Sequence, residues 1–100
     1  MHFYMRLIPP RATFVMDMTD EERRLMEAHA EYLKGFFDQG KILAYGPVLD
    51  RAAPFGIALF DVAAEADARA IMDADPTIVA KLNRYELAPM RVVGARAPAT

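Results

Sequence analysis

Hydrophobic and polar positions change their spacing several times along the chain, and each change marks an element. His2–Ile8 is dense in aromatic and aliphatic residues and closes on Pro9-Pro10, which supply no ladder N–H, so it reads as a strand. Beyond it the spacing becomes helical: Leu25, Met26, His29, Tyr32, Leu33, Phe36 and Phe37 recur at three- and four-residue intervals. Glu21, Arg24, Glu27, Glu31 and Lys34 cover most of the remaining surface. Thr19 and Glu22 stand at capping-box spacing, and Gly40 supplies the stop. Lys41–Leu49 and Phe55–Val62 read as two strands joined as a hairpin around the turn-forming residues 50–54. Ala64–Ala74 is rich in alanine, with Glu65, Asp67 and Arg69 on one side, and favours a short helix by propensity. Asp75-Pro76 restarts the chain as N-cap and first helical residue, so Thr77–Leu82 reads as a further turn or two. Tyr85–Val93 is the last predicted strand, and the Ala/Pro-rich residues 94–100 read as a flexible tail.

The order strand, helix, strand, strand, helix, strand predicts an α+β, ferredoxin-like βαββαβ domain spanning residues 1–93. Its four-stranded antiparallel sheet carries both helices on one face. In the third strand Ile57 and Leu59 point one way while Ala58, Phe60 and Val62 point the other, and neither row is polar. The face without helices therefore needs a cover. A chain of 100 residues has no spare element for it, so the expectation is a homodimer that buries two open faces together.

Composition narrows the partners. With 54% hydrophobic and 26% charged residues the chain is globular, and a net charge of −2 without a basic cluster argues against nucleic acid. No apolar run reaches the roughly 20 residues of a membrane span. Cysteine is absent, which removes disulfides and thiolate chemistry and favours a reducing, cytoplasmic address. Neither a Gly-rich phosphate loop nor a dinucleotide fingerprint occurs, and no cofactor or metal site is expected.

The chemistry-bearing residues that remain are few. His29 lies inside the apolar stripe of the long helix, and Asp75 opens the Asp-Pro step. An imidazole held in a partly apolar cleft by a carboxylate can take and return protons near neutrality, which suits isomerisation, elimination or activation of water. Ordinary structural roles compete: His29 as a satisfied core residue, Asp75 as a helix cap worth about 1 kcal/mol. Tyr32 and Tyr45, with Phe36, Phe37, Tyr4 and Tyr85, could line an apolar cleft for a small aromatic or otherwise apolar acid or ketone, with Arg6 or Arg91 meeting its carboxylate. Gly46-Pro47 either ends strand pairing or lets backbone approach a ligand. A non-catalytic ligand-binding or protein-docking module is the alternative to an enzyme.

The run from His29 to Gly40, the stretch Lys41-Ile42-Leu43-Ala44-Tyr45-Gly46-Pro47 and the later Asp73-Ala74-Asp75-Pro76 together resemble the YCII-related family of small dimeric α+β barrel proteins. The resemblance covers nearly the whole chain. It implies a dimer with sheets packed face to face and, in each subunit, a cleft where His29 and Asp75 meet as the active site. A few such proteins act on halogenated hydroquinones. Tyr45 departs from the small residue that many relatives carry before Gly-Pro, which bears on pocket size.

Overall fold

A computed structural model describes residues 1–97. The elements are β1 (His2–Ile8), α1 (Phe14–Asp17), α2 (Asp20–Asp38), β2 (Ile42–Val48), β3 (Phe55–Asp61), α3 (Glu65–Asp73), α4 (Pro76–Val79) and β4 (Arg84–Met90). One antiparallel sheet of order β2-β3-β1-β4 results, the ferredoxin-like arrangement.

Strand alternation decides what the helices cover. Phe3, Met5 and Leu7 of β1, with Ala58 and Phe60 of β3, point to one face and are buried against Leu33 of α2 and Ala68, Ile71 and Met72 of α3. Tyr4, Arg6, Ile57 and Leu59 point to the other face and are half-buried, with Tyr4 opposite Leu59 and Arg6 opposite Ile57. Pro47 and Pro89 lie in the two edge strands, the positions where a missing ladder donor is tolerated.

The long helix begins and ends as its sequence dictates. Thr19 Oγ1 accepts from Glu22 N at 3.1 Å while Glu22 Oε1 accepts from Thr19 N at 2.9 Å, completing the capping box. At the other end Gly40 adopts φ 79°, and Gly40 N and Lys41 N donate back to Phe37 O and Phe36 O, a Schellman stop.

Three departures from expectation exceed a single residue. Residues 9–18 contain a helix, α1, that is a single turn and so leaves no periodic signal; buried Phe14 anchors it, and Arg11 ties it to Asp17 and Glu22. The last strand stops at Met90 rather than Val93, because pairing with β1 ends opposite His2. The helical turn after Asp75 stops at Val79, and the chain reverses through Lys81 at φ 58°. Residues 91–97 carry no regular structure, and the remainder of the expected tail lies outside the described residues.

Candidate active site

Asp75 is both a cap and the centre of a hydrogen-bond cluster. It ends the loop after α3, and its extended backbone with Pro76 at the first helical position starts α4. Its Oδ1 accepts from Thr77 N at 2.8 Å and from Thr77 Oγ1 at 2.6 Å. Its Oδ2 is 2.5 Å from His29 Nδ1, across from α2. The carboxylate is fully buried, whereas the His29 side chain is 13% exposed. Burial alone would push the Asp75 carboxyl up, but the hydrogen bonds from His29 and Thr77 and the charge of a protonated His29 outweigh it, and the net direction is downward. Asp75 is therefore ionised at neutral pH and can only accept, so the hydrogen between the two groups is donated by His29 Nδ1. Nε2 makes no hydrogen bond to the described residues.

His29 also borders a cleft of about 670 Å³ whose lining is mainly apolar. Leu33 of α2, Tyr45 and Pro47 of β2 and Met16 of α1 contribute walls. The volume suits a small ring compound. Tyr45 does not plug this space: its ring leans on Phe37, with centroids 5.4 Å apart, at the margin. Gly46 lines the cleft as well, and a Cβ built there would meet nothing within 4 Å.

The structure thus brings His29, Asp75, Tyr45, Gly46 and Pro47 to one region. Tyr32 does not line the cleft. Its hydroxyl donates to Ile71 O at 2.7 Å and its ring meets Phe36 edge-on at 5.1 Å, so it ties α2 to α3 instead of facing a ligand. Burial and the Asp75 carboxylate both raise its phenol, which keeps it a donor. Arg6 is also displaced from the expected role: its guanidinium sits 4.0 Å over the Phe55 ring on the face without helices. Arg91 is exposed beyond β4 and does not line the cleft. His2 lies near Asp61 and Val92, and among the described residues no group of three His, Cys, Asp or Glu side chains could hold a metal ion. Sequence reasoning missed Arg51, Asn83 and α1 as parts of the cleft wall. Arg51 and Asn83 look like ordinary turn residues in sequence, and nothing in their spacing links them to His29.

Residues 2–91 match the YCII-related domain. The chain belongs to the YCII-related family. No functionally curated protein is significantly similar to it in sequence. Among solved structures, this YCII-related chain is similar to 5-chloro-2-hydroxyhydroquinone dehydrochlorinase from Burkholderia phenoliruptrix AC1100, in complex with 2,5-dihydroxybenzoquinone. The TM-score is 0.70 at 15% identity, over 91% of this chain and 94% of that one. At that identity the likeness establishes a shared fold. In the YCII-related chain no helix among the described residues is long and apolar enough to cross a membrane.

Proposed function

We propose that this protein is a homodimeric acid/base enzyme that acts on a small hydroxylated aromatic ring, with loss of hydrogen chloride from a chlorinated ring as the reaction to try first. The observation that carries this reading is the His29–Asp75 pair at the wall of an apolar cleft, with Nδ1 bound to a buried carboxylate and Nε2 free. Family membership and the fold shared with a dehydrochlorinase support the choice of substrate.

His29 Nε2 takes a proton from a ring hydroxyl, and Asp75 stabilises the imidazolium that forms. The electron pair moves into the ring, and the carbon bearing chlorine gains a proton as the ring passes to its keto tautomer. Loss of a second hydroxyl proton then expels chloride. A chlorinated hydroquinone minus hydrogen chloride is a quinone, so the balance closes without an oxidant. The apolar walls keep bulk water from competing for the proton.

The dimer forms through the sheet face that carries Tyr4, Ile57 and Leu59, half-buried in the single chain and without a helix over it. Arg6 Nε, a buried donor on that face without a partner among the described residues, awaits an acceptor from the second copy. Sedimentation should give twice the chain mass of 11.2 kDa at micromolar concentration, and a stable monomer would remove this part of the proposal.

The functional test is chloride release from 5-chloro-2-hydroxyhydroquinone. The wild-type protein should release chloride well above the buffer rate, and His29→Gln should fall toward it. Binding without release, equal in both proteins, would make the cleft a ligand-holding module instead.

A further inference from the structure

Among the described residues two buried polar side-chain atoms find no hydrogen-bond partner, Arg6 Nε and Asn83 Oδ1, and of these two residues only Asn83 lines the cleft. Asn83 is 5% exposed. Its Nδ2 donates to Met26 Sδ at 3.4 Å, a thioether and hence a weak acceptor, so neither end of the amide is well served. A buried amide in this state is costly to the fold and is uncommon without a reason.

The backbone goes to some length to hold Asn83 there. Lys81 takes up a left-handed φ of 58°, a conformation disfavoured for a side chain with a Cβ. Leu82 N and Asn83 N then both donate to Thr77 O, at 2.9 and 3.2 Å. Thr77 is the same residue whose N–H and hydroxyl hold Asp75 Oδ1. One helical turn therefore fixes both the carboxylate that orients His29 and the amide on the cleft wall. Met26, the contact of Nδ2, lies one turn before His29 on α2.

We infer that Asn83 is a substrate-binding residue that selects hydroxylated rings, its Oδ1 accepting the hydrogen of a ring hydroxyl while His29 carries out the proton transfer. The inference rests on the substrate class proposed above. A ring without hydroxyls leaves this acceptor unpaired, and such a mismatch discriminates more strongly than apolar fit does.

The test compares binding of hydroquinone, kept reduced, with binding of p-xylene, a ring of similar size without hydroxyls. The wild-type protein should prefer hydroquinone. Asn83→Leu should weaken hydroquinone about tenfold and leave p-xylene unchanged, the loss expected for one hydrogen bond to an otherwise unpaired buried group. Its thermal midpoint should hold or rise, since no well-made bond is lost; Asn83→Ala is read in the same way should the leucine variant not fold. Equal weakening of both ligands, or a lower midpoint with the preference intact, would make Asn83 structural and overturn the inference while leaving the substrate class standing. A wild-type protein that binds the two rings alike would overturn the inference and the substrate class together.

Discussion

Two close side-chain pairs that each include a carboxylate join α2 to other elements, and they differ in almost everything except distance. Glu22 meets Arg11 at 2.8 Å on the surface, with a side chain 17% exposed facing one 36% exposed. Asp75 meets His29 at 2.5 Å with no exposure of the carboxylate. The Arg11 guanidinium and the Thr19 N–H hold Glu22 down to about 2, which makes the pair look strong. Solvent screens it, however, and such pairs contribute little to stability. The buried pair works under the opposite condition. Both carboxylate oxygens of Asp75 are engaged, the carboxylate is shut off from solvent, and His29 borders the cleft. Short distance alone therefore does not tell the two pairs apart; a desolvated carboxylate with each oxygen paired does.

The largest expected difference between the two pairs is in catalysis. His29→Gln should lower turnover by roughly 10²- to 10⁴-fold while the protein remains folded, the range for loss of a general base. Arg11→Ala should leave turnover unchanged. A steady-state assay of both variants on the chlorinated ring checks the contrast, and similar losses in the two would erase it.

Next comes stability. Asp75→Ala removes the cap of α4 and leaves His29 Nδ1 without its acceptor, at a cost of about 3 kcal/mol in urea unfolding. Arg11→Ala should move the urea midpoint only slightly, and less still at high salt. A larger effect at Arg11 than at Asp75 would reverse the ranking.

Acid gives the smallest effect and the finest test. The folded protein holds the carboxyl of Asp75 below its ordinary value of 3.8, whereas the unfolded chain does not. As pH falls through about 4 the unfolded chain takes up this proton first, so stability present at higher pH is lost toward the lower folded value. The fall in urea midpoint between about pH 5 and pH 3 should be shallower in Asp75→Asn than in the wild type. Equal slopes would mean that Asp75 carries no such linkage.

Much of the architecture is legible in the residues because long elements repeat their pattern. β1 begins and ends as read, and the capping box and Gly40 bracket α2, since local chemistry and tertiary packing agree there. α1 was illegible because one helical turn has no period to detect. At the site, His29 could be noticed as a polar interruption of an apolar stripe and Asp75 as a cap, but their meeting depends on how α4 packs against α2. Tyr32 went astray because an aromatic on that stripe can face either the cleft or α3, and its hydroxyl bond to Ile71 O decides the matter. Asn83 carries no local signal at all, because its isolation is a property of the folded surroundings.

The most direct test of the central claim is the tautomer of neutral His29, read from the ring nitrogen shifts of the 15N-labelled protein at a pH where the imidazole is uncharged. A proton on Nδ1, hydrogen-bonded to Asp75, and a bare Nε2 toward the cleft are expected, with this preference weakened in Asp75→Asn. A proton on Nε2 and a bare Nδ1 would contradict that claim, for the cleft would then face a donor rather than the base on which the proposed chemistry depends.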